Sequence, residues 1–421
     1  MRADARAGPA PDADRLWADL TALAAYADPD LAGWSREVFT DPYRAARAWV
    51  RALMADAGLA TSVDAVGNIT GRLPGTHGGG PPIVTGSHTD TVRGGGRFDG
   101  IVGVLGGIEV ARRLRETGTR LRRDLVVVDF LGEEANGYGI SCMGSRALAG
   151  TLTAAHLDRR DAAGDRLGDA MARFGADPAA SLGIAWRGGV HAFVELHVEQ
   201  GPLLEREGAE VGVVTAIAGI ERLLATFAGR SDHAGTTPMG ERADALTAAA
   251  EAVLTVEREG CGAPVHGVAT TGRIEGATGA FNIVPDRARI WAELRSVDPG
   301  WLGGVRRRVA ERIAADAARR GVETGIEWLN DQPPVPADRA VQDVIGGAAD
   351  GLGASWAPVP SGAGHDAAHL ARLGPMGMVF IPSRGGRSHC PEEWTDPAQI
   401  ATGVHVLGDT IVRLDALDHV R

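Results

Sequence analysis

Lysine is missing from this 421-residue chain; every one of its 43 basic residues is arginine. Schiff-base catalysis, Ser-Lys amidases, Cys-Glu-Lys hydrolases, Walker phosphate loops and carboxylated-lysine bimetal barrels are thereby excluded, since each needs a lysine amine. Cysteine is scarce. Cys142, Cys261 and Cys390 are far apart and form no Cys-x-x-Cys pair, which argues against a disulfide framework or a thiolate zinc site and points to a reducing, cytoplasmic setting. No apolar run reaches the roughly 18 residues of a membrane span. The opening MRADARAGPAPDADR has no apolar core and reads as a frayed start, not a signal peptide. Positive charge is also in deficit: net charge is −11 and no basic stripe appears, so nucleic acid is not an expected partner. An acidic chain that takes an anionic substrate must place an arginine locally.

What is present is ordinary globular sequence, 44% hydrophobic and 23% charged, long enough for two to three domains. Residues 13–28 and 42–57 carry apolar residues at helical spacing. Val63 to Leu73 reads as a hairpin turning at Gly67-Asn68. Ile83–Ser87 is a short strand, 99–118 a helix, and Leu125–Leu131 a continuous apolar run suited to a parallel strand buried on both faces. Segment 151–190 reads as mostly helical and polar, with no chemistry in it, and 193–198 as another strand. From 212 the pattern changes: 212–229, 266–276 and 287–297 alternate as strands, while 240–259 and 302–320 are helical. After Pro333-Pro334-Val335-Pro336 the first pattern resumes, with helix 337–351, strand 376–381 and helix 397–415. The expected architecture is α/β: a mixed, largely parallel sheet flanked by helices, built from 1–211 and 331–421, with an inserted α+β sandwich over 212–330.

The strand Ile83–Ser87 delivers His88 and Asp90 at its C-terminal tip, and a glycine-rich loop then leads to Asp99. His-x-Asp at a strand end presents an imidazole ligand with a carboxylate behind it. Asp99, folded back beside His88, can bridge two cations. Alternatively, Asp90 and Asp99 are solvated loop acids and Asp99 caps the next helix. Four further groups stand at strand ends or in loops: Glu133, Glu134, His197 and His389. Nitrogen and carboxylate ligands without thiolate suit an open catalytic site for Zn²⁺ or a Mn²⁺-like ion. Glu133 need not be a ligand and can act as a base on water. Each histidine alone reads as structural or exposed; three at successive strand tips with two acids do not.

Seven blocks carry a resemblance: GSHTDTVRGGGRFDGIVGVLGG, FLGEEANGYGISCMGSRALAG, ELHVEQGPLLE, SDHAGTTPM, FNIVPDRARIWAELRS, SGAGHDAAHL and IPSRGGRSHCPEEWT. In this order the chain resembles, from about Trp49 to Ile411, the amidase/hydantoinase/carbamoylase group of the dinuclear zinc aminoacylase and carboxypeptidase superfamily. The resemblance implies a zinc-peptidase-like catalytic domain with an inserted lid and dimerisation domain. It implies two divalent ions per subunit, zinc first, with manganese, cobalt or nickel as alternatives. His88, Asp99 and His197 would hold one ion; Asp99, Glu134 and His389 the other. Glu133 would be the general base and Asp90 the partner of His88. His233 would reach into the partner subunit's site of a homodimer and stabilise the oxyanion. Gln200 resembles a substrate-contacting amide. Asn282 and Arg295 would clamp the substrate carboxylate, with Gly362, Ala363 and Gly364 as a backbone loop beside them. His365 and Asp366 read as structural, and Cys142 and Cys390 as packing residues.

The implied reaction is hydrolysis of the ureido C–N bond of an N-carbamoyl-L-amino acid or related ureido acid, releasing ammonia and carbon dioxide. Allantoate and ureidoglycolate are the alternatives within the group; an aminoacylase or dipeptidase on the same scaffold is the rival outside it. His197 and the Glu199-Gln200 pair argue against that rival.

Overall fold

The computed structural model describes residues 8–186, 188–276 and 279–420. Met1–Ala7, the first part of the stretch read as a frayed start, lie outside the described residues. The chain divides into two compact units, Met1–Thr215 with Ala337–Val359 and His365–Arg421, and Ala216–Pro336 with Pro360–Gly364.

The first unit is built on a mixed sheet. In spatial order its strands are Ala60–Val63, Ile69–Leu73, Leu125–Phe130, Ile83–His88, Ala192–Val198, Met376–Ile381 and Val211–Ile217, with Val335–Pro336 and Trp356–Ser361 both paired to the last. The four central strands, from Leu125–Phe130 to Met376–Ile381, pair in parallel; the outer pairings are antiparallel. All residues of the central four are buried, as expected where helices cover both faces of a parallel sheet. Helix Ile101–Glu116 packs on Ile83–His88, and Pro397–Ala416 packs on that helix and on Arg339–Leu352. Ala13–Ala24 lies across Ile101–Glu116, tied by Arg15 to Glu109 and Glu116. Four parallel neighbours direct four C-terminal ends to one edge of the sheet, and loops at that edge can meet.

The second unit is an antiparallel sheet in the order Glu323–Gln332, Gly219–Ala228, Arg287–Ser296, Val268–Gly276. Helices Ala245–Cys261 and Pro299–Arg319 bury Leu223, Phe227, Ile290 and Leu294 on one face. Two details depart from the sequence reading. The segment 212–229 is two strands: Val211–Ile217 joins the large sheet and Gly219–Ala228 the small one, because alternation runs unbroken across the change of sheet. Glu323–Gln332, a strand to which the sequence reading gave no bounds, forms the sheet edge. Segment 151–190 holds three short helices, Ala154–Leu157, Leu167–Phe174 and Pro178–Ser181. No helix among the described residues is long and apolar enough to cross a membrane.

Candidate metal centre

His88 is the last residue of its strand and His197 the sixth of Ala192–Val198, the strand paired directly beside it in parallel, so both stand at the same edge. The strand Leu125–Phe130 leads into Glu133 and Glu134, and Met376–Ile381 into the loop that carries His389. Asp99 closes the glycine-rich loop. It does not cap the following helix: the N-cap position is Gly100, and no side chain caps it. The Asp99 side chain is instead 3% exposed and faces the histidines.

The Asp99 carboxylate divides its two oxygens. Oδ1 lies 3.2 Å from His197 Nε2 and 3.5 Å from His88 Nε2; Oδ2 lies 3.2 Å from His389 Nε2. His389 Nε2 is also 3.3 Å from Glu134 Oε1. His88, Asp99 and His197 form one group that could hold a metal ion, and Asp99, Glu134 and His389 another. The donor atoms suit a cation. His197 Nε2 and Glu134 Oε1 are buried without an aligned hydrogen bond, although the first is within ion-pair distance of Asp99. The Nδ1–H of His197 donates to the Val198 carbonyl at 2.9 Å, and that of His88 to the Asp90 carbonyl at 3.0 Å. Those bonds select the tautomer whose Nε2 lone pair points to Asp99. The electrostatics agree. Burial favours neutral imidazole at His88, yet Glu133, Asp99 and Asp90 push its pKa well above the usual range. Hydrogen bonds to Asp99 and Glu134 push His389 up to about 11. Burial opposes ionisation of Asp99, but its three histidines hold it well below the usual carboxylate range. A pocket that draws protons onto its imidazoles attracts a divalent cation for the same reason.

Asp90 supports the site differently from the sequence expectation. Its main-chain oxygen backs His88, while its carboxylate stands 3.7 Å from His88 Nδ1. That carboxylate accepts the N–H groups of Glu133 and Glu134 at 3.2 and 3.0 Å. Asp90 therefore couples the tip that carries His88 to the turn that carries both glutamates. Glu133 belongs to neither ligand group; its Oε2 is 3.7 Å from His88 Nε2. Burial, reinforced by Asp366, Glu134 and Asp90, raises its pKa well above the usual range despite His88. Cys142 is more than a packing residue: its thiol, kept protonated by burial and neighbouring carboxylates, donates to Glu133 Oε1 at 3.4 Å. Nothing in the spacing of the two residues signals this contact, which depends on a left-handed turn at Cys142. Gln200 donates to Asp99 Oδ2 at 2.8 Å and lies 3.3 Å from His389 Nε2, so its amide is beside the ligand groups.

The remaining expected residues belong to the second unit. His233 and Asn282 are brought together by a bridge between His233 and Ile283 and by the Ala234 N–H bonded to the Asn282 carbonyl. The Gly235 N–H donates to His233 Nδ1 at 3.1 Å, which leaves Nε2 as the protonated, donating nitrogen. Arg295 donates through Nε to Glu293 Oε1 and through Nη1 to the Gly362 carbonyl at 2.9 Å, so neither bond uses Nη2. Glu293 is held in turn by Arg222 across the strand pair. The Ala363 N–H is already bonded to Ser361 Oγ. Gly364 lies in the same short loop.

The sequence model of peptidase family M20/M25/M40 matches residues 84–413. An N-carbamoyl-L-amino acid amidohydrolase of Geobacillus stearothermophilus is 38% identical over 402 residues, covering 95% of this chain and 98% of that protein. A ureidoglycolate hydrolase of Arabidopsis thaliana is 37% identical over 412 residues, covering 96% and 87%. The crystal structure of an amidase of the hydantoinase/carbamoylase family from Burkholderia multivorans has a TM-score of 0.88 at 35% identity, covering 97% of this chain and 99% of that one.

Proposed function

This chain belongs to peptidase family M20/M25/M40, among its hydantoinase/carbamoylase amidohydrolases, and on that premise we propose that it removes the carbamoyl group of N-carbamoyl-L-amino acids. It is a hydrolase of C–N bonds in linear amides other than peptides. One observation carries the assignment of the centre: a buried aspartate that offers one oxygen to two histidines and the other to a third. We propose two divalent ions per subunit, zinc first, held by His88, Asp99 and His197 and by Asp99, Glu134 and His389. Bound there, the ions supply Lewis-acid polarisation of the scissile carbonyl.

The chain's own groups supply the rest. Cys142 occupies Glu133 Oε1, leaving Oε2 to take a proton from the attacking water. The water oxygen bonds to the ureido carbon, and the same glutamate returns the proton to the departing nitrogen. The resulting carbamic acid loses carbon dioxide. His233, protonated at Nε2, donates to the oxygen that gains charge, reaching the site of the partner subunit in a homodimer whose contacts the second unit provides. Arg295, already oriented by Glu293 and Gly362, pairs with the substrate carboxylate. Asn282, Gln200 and the loop Gly362–Gly364 complete the contacts. Three free cysteines support a cytoplasmic location.

Ureidoglycolate is the second reading, favoured by the 37% identity to the Arabidopsis enzyme across 96% of this chain. An ammonia-release screen decides between them: N-carbamoyl-L-amino acids, ureidopropionate, allantoate and ureidoglycolate, each with Zn²⁺, Mn²⁺, Co²⁺ or Ni²⁺. Highest kcat/KM on a carbamoyl amino acid supports the first reading, and highest kcat/KM on ureidoglycolate replaces it. Full turnover after exhaustive chelation would defeat both.

A further inference from the structure

Glu393 is a buried carboxylate with no ion pair among the described residues. It is 2% exposed, and its Oε1 accepts the backbone N–H groups of Phe98 at 2.7 Å and Asp99 at 3.1 Å. Its Oε2 accepts the Ser388 hydroxyl at 2.6 Å, and that hydroxyl lies 3.2 Å from Asp99 Oδ2. Its own N–H donates to the Cys390 carbonyl, closing the turn after His389. One side chain thus joins two loops whose contact residues are 294 positions apart in sequence: the loop of Asp99, which serves both ligand groups, and the loop of His389, which serves one. The approach is tight enough to dictate a neighbour. A Cβ on Gly96 would stand 2.1–2.2 Å from the Glu393 carboxyl atoms, so any side chain there would displace the carboxylate from this position.

Burying a carboxylate without a counter-charge is costly, and setting it near the Asp99 carboxylate adds repulsion; both raise its pKa. For anchoring a loop alone, a neutral acceptor would suffice at lower cost. The arrangement makes sense where positive charge is brought to the neighbouring carboxylate, since a second negative group then strengthens the attraction.

We infer that Glu393 is a positioning residue of the metal centre: it fixes the bridging carboxylate of Asp99 and the turn of His389 as one body, and so sets the separation of the two cation sites. The inference rests on the proposed dinuclear centre, and the experiment separates the two. Glu393→Ala, Glu393→Gln and the parent chain are loaded with Zn²⁺ alone. Bound zinc is measured by elemental analysis after dialysis, zinc release by a colorimetric chelator, and melting on the metal-free proteins. The parent should hold two equivalents. Glu393→Ala should release zinc at least about tenfold faster, in the 10–100-fold range of groups that orient metal ligands, and lose kcat with KM little changed. Glu393→Gln keeps an acceptor for the two N–H groups and should recover part of that loss. Metal-free melting should stay at the parent value or rise. Lower metal-free melting with unchanged zinc release would make Glu393 a purely structural anchor and overturn the inference. Should Glu393→Ala fail to fold, Glu393→Gln with parental zinc release and kcat would overturn it equally. A parent chain that binds no zinc would sink the dinuclear reading instead.

Discussion

Replacing Glu133 by glutamine should separate catalysis from both metal binding and stability, in opposite directions. The substitution keeps the shape of a side chain that is 6% exposed and belongs to neither ligand group, so zinc stoichiometry should stay at the parent value. The variant loses the proton acceptor. General-base catalysis supplies about 10²–10⁴-fold, equivalent to about 3–5 kcal/mol of barrier at 1.36 kcal/mol per decade, and kcat should fall by that factor. Stability should move the other way. The carboxylate is buried and faces Glu134, Asp90 and Asp366, with a thiol as its hydrogen-bond donor; His88 offsets only part of this, and the unfavourable remainder is what a neutral amide relieves. Melting of the chelated variant should therefore match or exceed that of the chelated parent, the pattern expected where function is installed at the expense of stability. The assays are ammonia release, zinc by elemental analysis, and thermal melting with and without chelator. A fall in kcat of less than tenfold with zinc retained would refute the role of Glu133 as base; loss of zinc with the activity would make it a ligand.

Gly100→Ala should damage the centre through His88. At φ +70° the new methyl would stand about 2.5 Å from the imidazole, which must turn away, so zinc content should drop, and a soluble variant with parental zinc would contradict the geometry. Arg295→Lys should raise KM about tenfold or more with kcat little changed, because a point charge replaces a fork already oriented by Glu293 and Gly362; steady-state kinetics with equal KM would remove Arg295 from the substrate contacts. His369, 8% exposed, is pushed down to about 3 by burial. Its folded pKa lies below the unfolded 6.5, so the unfolded chain gains a proton first, and stability present above pH 6.5 is lost progressively towards pH 3. At pH 5 the loss is about 2 kcal/mol, and His369→Phe should flatten that part of the profile. Urea midpoints at pH 7.5 and 5 that shift equally in parent and variant would refute it.

Much of the first unit was legible because its strands are apolar runs ending in polar groups. Leu125–Phe130 announces a buried parallel strand, and the histidines at or next to strand ends follow from the same pattern. The small sheet was less legible. Glu323–Gln332 holds only Ile326, Trp328 and Leu329 as large apolar residues among polar ones, and Gly219 marks a change of sheet that hydrophobic alternation does not register. Within the site, the His-x-Asp spacing identified Asp90 but not which of its oxygens backs His88; that depends on the path of the turn at Glu133. Cys142 and Glu393 act through contacts made only after folding, so composition and spacing could not point to them, although Glu393 lies four positions after His389 in a block already singled out.

The order of the central strands carries a consequence for how the molecule assembles. Met376–Ile381 lies between Ala192–Val198 and Val211–Ile217, so this late-synthesised strand must insert between two made much earlier, closing a long loop before its contacts stabilise anything. Until then the turn bearing His389 has no fixed address, and the third imidazole is missing from the edge where the other two already stand. Tight retention of a full complement of ions should thus report completed folding of the first unit, and a nascent chain released before residue 376 should hold them loosely or not at all.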